Sequence, residues 1–192
     1  MARITSIDQL DFDKQYTYAD YLTWEFKERV ELIKGRLFKM SPAPNRRHQA
    51  ISSNLHYFFA AFLRDKPCRV YHAPFDVRLI KNGKDTVVQP DICVICDESK
   101  LDDQGCNGSP DMVIEILSPG NSRKERKEKF ALYEENGIAE YWMVEPAEEF
   151  VTVYSLNEEG KYIGSKPFIT GETIDSDAVP GFTVAVDDIF AD

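Results

Sequence analysis

Residues 112–120 read MVIEILSPG, which sets one acid, Glu115, among apolar residues that want burial. The stretch VVQPDICVI does the same with Asp91, directly after Pro90. A buried carboxylate without a partner costs several kcal/mol, so each of these acids needs a reason to be there. If their strands are neighbours, the two can share a divalent cation that offsets desolvation and mutual repulsion. Hard ions such as Mg²⁺ or Mn²⁺ prefer oxygen ligands of this kind. The plainer alternative is that both acids sit at strand ends in water, or pair with arginine or lysine.

Beyond Glu115 the chain turns basic. Arg123, Lys124, Arg126, Lys127 and Lys129 cluster in a protein of net charge −10. Most of such a cluster is a solvated helix face. Lys129 differs, because it adjoins Phe130 and Leu132 and stands one helical turn before Tyr133. An ammonium there can position a water or stabilise charge on a phosphate. Steps of four set Glu125, Lys129 and Tyr133 on one face. His48, at the start of another helical stretch, can bind phosphate or move a proton near neutral pH, or simply bond to backbone. His56 and His72 are read as structural.

Several elements must carry these groups. An apolar stripe of Ile51, Leu55, Phe58, Phe59, Phe62 and Leu63 predicts an amphipathic helix over about 46–63. YTYADYLTWEF reads as a short N-terminal helix, and VELIKGRLFKM as two strands around Lys34-Gly35. CRVYH is a strand. DVRLIKNGKDTVVQPDICVI is a hairpin turning at Asn82-Gly83. LDDQGCNGSP is a polar loop, and the unbroken apolar character of DMVIEIL marks a central strand. NSRKERKEKFALYEENG is a helix capped at Asn121 or Ser122 and ended by Asn136-Gly137. AEYWMVEP and EFVTVYSL are strands, and the tail is short strands and turns. The order predicts an α/β fold, a central mixed sheet with helices on both sides.

The quoted stretches together resemble the PD-(D/E)xK nuclease superfamily. More narrowly, VELIKGRLFKMSP, HQAISSNL, QPDICVI and DMVIEILSPGNSRKERKEKFALYEENGIAEYWMVEP, over about 30–146, are similar to the Uma-type restriction endonuclease family. The resemblance implies a restriction-endonuclease-like fold and metal-dependent phosphodiester hydrolysis, with DNA as the expected nucleic acid. It implies Asp91, Glu115, the Ile116 carbonyl and Glu31 as ligands of Mg²⁺ or Mn²⁺, with Lys129 and His48 completing the catalytic set. The residue two after Glu115 departs from the superfamily pattern: Leu117 stands where lysine is usual, and Lys129 matches a lysine moved to the helix. Gly120-Asn121 stand where relatives usually have Ser-Thr. Pro110-Asp111, a second Pro-Asp pair, is read as a strand entry.

The bulk properties bound these expectations. The 192 residues, 43% hydrophobic, suit one nuclease-like domain over 1–192, with a core at about 30–156, an N-terminal helix and a strand-rich tail. No apolar run suits a membrane span. Without an apolar leader segment, Cys68, Cys93, Cys96 and Cys106 are expected as reduced thiols in a cytoplasm. Cys93 and Cys96 should point to opposite faces of a strand. The acidic charge argues against nonspecific coating of DNA. A homodimer is expected for cutting both strands of a duplex. The competing class is a nuclease-fold domain that no longer cuts and instead binds nucleic acid or a protein.

Overall fold

The computed structural model describes residues 3–40, 43–81, 83–118 and 123–192, with backbone only at 123–125. Near the N-terminus a 3-10 turn at Ile7–Gln9 precedes a short helix, α1 (Tyr18–Tyr21), capped by Thr17. The predicted helix stops there, and Trp24 instead bridges to Ile4 as extended chain. Strands β1 (Val30–Ile33) and β2 (Arg36–Lys39) form a hairpin, with Lys34 and Gly35 both at positive φ. Helix α2 (Arg46–Leu63) follows, with Ile51, Leu55, Phe59 and Leu63 buried along its stripe. Next come β3 (Arg69–His72), the hairpin β4 (Val77–Lys81) with β5 (Lys84–Val88), and β6 (Ile92–Ile95). The expected polar loop carries two short strands, β7 (Leu101–Asp102) and β8 (Gly105–Asn107). Then follow β9 (Met112–Ile116), α3 (Arg123–Glu135), β10 (Glu140–Glu145) and β11 (Phe150–Leu156). The tail holds β12 (Tyr162–Gly164), β13 (Thr173–Asp175) and β14 (Thr183–Ala185). It ends in a short helix, α4 (Val186–Phe190), where only strands and turns were expected.

The described strands build two mixed six-stranded sheets rather than one, ordered β2-β1-β5-β4-β8-β7 and β12-β11-β10-β9-β6-β3, and β13 with β14 forms a separate two-stranded sheet. The expected α/β class holds. The second sheet has α2 on one face, packing Ile51, Leu55 and Phe59 onto Ile92, Met112, Ile114 and Ile116. On its other face α3 packs Leu132 and Tyr133 against Cys93, Val113 and Tyr141, and the same core takes in Ile33, Leu79 and Val88 of the first sheet. Alternation along β1 sends Leu32 to the N-terminal segment's cluster and Ile33 to the α3 side. Glu31, two residues before Ile33, therefore faces α3.

One expectation is overturned. Cys68 and Cys96 are joined in a disulfide, while Cys93 and Cys106 are free and buried. The cause is register: Arg69 pairs with Ile95 across β3 and β6, so the next residues outward, Cys68 and Cys96, stand opposite each other. Cys93 and Cys96 do lie on opposite faces, in different core clusters. Among the described residues, no helix is long and apolar enough to cross a membrane.

Candidate active site

The strands β6 and β9 run antiparallel, with Ile92 opposite Ile114 and Cys93 opposite Val113. One further step of that ladder sets Asp91 opposite Glu115. Directly opposed residues project from the same face, with Cβ atoms about 4.5–5.5 Å apart. Asp91 Oδ2 accepts the Ile116 N–H at 2.8 Å and lies 3.3 Å from His48 Nε2. Pro90 suits this strand entry, since it has no N–H to offer a ladder.

His48 is aimed by its helix. Asn45 caps α2 by accepting the His48 N–H at 2.9 Å, which seats the ring in the first turn. The ring is buried, and its Nδ1 has no partner among the described residues. Burial works against protonation. The Asp91 hydrogen bond and charge, the Ile116 backbone and Glu115 outweigh it, so the pKa of His48 is raised.

Glu115 has its own cation. Lys129 Nζ donates to Glu115 Oε1 at 2.9 Å and lies 3.1 Å from Glu31 Oε1. Glu31 Oε1 also accepts the Gln89 N–H at 3.0 Å. Lys129 and Glu31 are both buried. Burial of Lys129 disfavours its charge, yet Glu115 and Glu31 prevail and hold its pKa above the usual value. The Tyr133 hydroxyl, one turn along α3, donates to Glu115 Oε1 as well. Even so, burial pushes the Glu115 carboxyl up to about 7, with Asp91 and Glu31 adding repulsion and Lys129 and Tyr133 opposing it. Tyr133 is held well above its usual pKa, first by burial and then by Glu115, so it remains a donor.

Asp91, Glu115, Ile116, Lys129, Glu31 and His48 thus form one connected constellation, contributed by both sheets, α2 and α3. Leu117 is buried and donates its N–H to Val144, so the usual lysine position serves the core. Side chains of Arg123, Lys124 and Glu125, and the expected caps Asn121 and Ser122, fall outside the described residues, as does Gly120. Asp111 of the second Pro-Asp pair accepts the Cys96 N–H, a structural bond at a strand entry.

Sequence reasoning left two members out of the set. Tyr133 had a signal, the four-residue step from Lys129. Gln89 had none, because its part is played by a backbone N–H.

The candidate metal-holding atoms are oxygens. Among the described residues, no three His, Cys, Asp or Glu side chains form a metal-binding group. Asp91, Glu115 and the Ile116 carbonyl supply two side chains and one backbone oxygen. Mg²⁺ is commonly held in this way, by one or two carboxylates with several retained waters. Glu115's raised pKa, with Asp91 and Glu31 among its causes, marks the electrostatic deficit that such an ion would relieve.

The family model described as "Uma2: Putative restriction endonuclease" matches residues 18–187. The chain belongs to the Uma2 family. An uncharacterized protein of Synechocystis sp. is 26% identical over 147 residues, covering 75% of this chain and 76% of that protein. A crystal structure from Anabaena variabilis, described as a "putative nuclease belonging to DUF820", superposes with a TM-score of 0.66. It is 22% identical, over 92% of this chain and 98% of that one, a likeness of fold. Together the Uma2 match and the fold support a nuclease-like function.

Proposed function

We propose that this Uma2-family chain is a metal-dependent endonuclease that hydrolyses phosphodiester bonds in DNA. The observation that carries the reading is the buried Lys129 ammonium on Glu115, with Asp91 one residue beyond the Ile92–Ile114 pair and bonded to the Ile116 N–H. An ion pair serving stability alone would need one carboxylate. Here three acids converge around one lysine and one histidine, an arrangement that leaves negative charge for a metal.

Asp91, Glu115 and the Ile116 carbonyl would hold Mg²⁺ or Mn²⁺, which would polarise the scissile phosphate and lower the pKa of a bound water. The chain's own groups do the rest. Lys129 keeps a full positive charge beside the reacting phosphate and stabilises the negative charge that grows in the transition state. Glu31 is assigned here to Lys129 rather than to the metal, since its Oε1 faces both that ammonium and the Gln89 N–H. Tyr133 orients Glu115. His48 steadies Asp91 and can pass a proton at its Nε2.

Incubation of purified protein with plasmid DNA in Mn²⁺, in Mg²⁺ and in EDTA tests the proposal. Cleavage in the ions and none in EDTA is expected. An intact plasmid in all three would favour a nuclease fold that only binds.

A further inference from the structure

Beside the catalytic constellation lies a groove that the hydrolytic chemistry does not use. It is a cavity of about 350 Å³, with Trp24, Phe26, Arg29, Asp76, Gln89 and Gln104 among its lining. That volume falls in the range of small-molecule sites, about 300–1,000 Å³. One residue joins it to the active site: the Gln89 backbone N–H bonds Glu31, while the Gln89 side chain faces the groove. Arg29 stands two residues before Glu31 and donates Nε and Nη2 to Gln89 Oε1 at 3.0 and 2.8 Å. Gln89 Nε2 in turn donates to Asp76 Oδ1 at 2.8 Å.

The groove's chemistry is aromatic and amide-rich. Trp24 and Phe26 stack, with ring centroids 5.9 Å apart. Trp24 is half-buried, and its Nε1 is shielded from water with no acceptor among the described residues. A buried donor left unpaired is a standing invitation to an acceptor. An aromatic wall, an indole N–H without an acceptor among the described residues, and a guanidinium and carboxamide already bonded to each other together suit a heteroaromatic ring that carries hydrogen-bonding edges. Net charge points the same way. A chain at −10 gains little from phosphate neutralisation, the usual main source of affinity for duplex DNA. Stacking of unpaired bases on aromatic side chains supplies affinity that phosphates here do not.

We infer that this groove receives a nucleobase of an unpaired strand, next to the phosphodiester bond presented to Glu115 and Lys129. The inference rests on the nuclease reading and sharpens it: the substrate has single-stranded or unstacked character at the cut.

The sequence provides a direct reporter. Its two tryptophans are Trp24, in the groove, and Trp142, fully buried in the core. The probe is a short mixed-sequence single-stranded DNA, added to Asp91→Asn protein in Mg²⁺, with recovered DNA checked for intactness. Saturable quenching of tryptophan emission is expected, and Trp24→Phe should abolish it in a protein with unchanged circular dichroism. Phe26→Ala should raise Kd on the order of tenfold. Gln104→Ala, in an exposed loop where folding is not at stake, should also weaken binding. A blunt duplex of the same sequence should bind more weakly and without quenching.

Single-stranded DNA that binds without changing the emission, or that does not bind, would overturn the inference. So would unchanged Kd in both Phe26→Ala and Gln104→Ala. Wild-type cleavage without quenching would sink the groove and leave the nuclease. Quenching without any wild-type cleavage would do the reverse.

Discussion

Lys129 Nζ stands between Glu115 Oε1 and Glu31 Oε1, at 2.9 and 3.1 Å, and so ties together carboxylates from the two different sheets. Lys129 and Glu31 are buried and Glu115 is partly buried. One ammonium therefore holds the sheets in register at the site and supplies its positive charge.

Lys129→Met keeps the length of the side chain and removes the cation. Glu115 and Glu31 would then keep only their Tyr133 and Gln89 hydrogen bonds, with no countercharge between them, and a loss of about 3–5 kcal/mol is expected at neutral pH. Denaturant titrations should recover part of that loss at acid pH, where the carboxylates take up protons. Phosphodiester cleavage should vanish at every pH.

Tyr133→Phe removes one donor from Glu115 without changing the packing of the ring. A stability loss of about 1–3 kcal/mol is expected. The hydroxyl favours the ionised carboxyl, so its loss raises the Glu115 pKa further. The acid limb of the pH–rate profile should therefore move to higher pH. A profile that only scales down would assign Tyr133 to packing alone.

Metal-free stability should fall as pH rises. The Glu115 pKa is about 7 in the fold against an ordinary 4.5, so the folded chain binds the extra proton between those values. Stability drops across that window by at most about 3 kcal/mol. His48 acts in the same direction: its pKa is raised above 6.5, so its contribution is present below 6.5 and is lost as pH climbs through the folded value. Melts in EDTA should thus be highest near pH 5. Glu115→Gln should flatten the part of the curve below pH 7.

Cys68–Cys96 closes a segment with a separation of 28 residues. Loop-closure entropy for such a length suggests about 3.5 kcal/mol of stabilisation. Dithiothreitol should lower the melting temperature of the parent and leave a Cys68→Ser, Cys96→Ser double variant unmoved. Neither cysteine is in the proposed catalytic constellation, so cleavage below the melting point should be unaffected.

The sequence was most informative where a pattern was long or a charge was out of place. The stripe from Ile51 to Leu63 marks α2 at its observed bounds, Arg46–Leu63. Asp91 and Glu115 stood out as acids in apolar runs, and the register brings them together. Shorter elements carried too little pattern. Strands β7 and β8, with two and three residues, lay inside what read as a polar loop, and with them the extent of the first sheet was hidden. Helix α4, with five residues, is held by Val186, Ile189 and Phe190 packing into a distant core, which no local signal announces. The disulfide depends on the pairing of β3 with β6, a tertiary fact. Gln89 was invisible because any residue has a backbone N–H.

The central claim is that Asp91 serves a metal and not the fold. Asp91→Asn keeps the shape and removes one charge. The measurement is Mn²⁺-dependent plasmid cleavage by parent and variant at equal concentration, with thermal melts of both in EDTA. The account expects the variant to melt at least as high as the parent and to lose cleavage by a factor on the order of a hundred or more, a barrier increase of about 3 kcal/mol. A variant that melts clearly lower in EDTA and yet cuts at the parental rate would show Asp91 to be a structural carboxylate and would contradict the account.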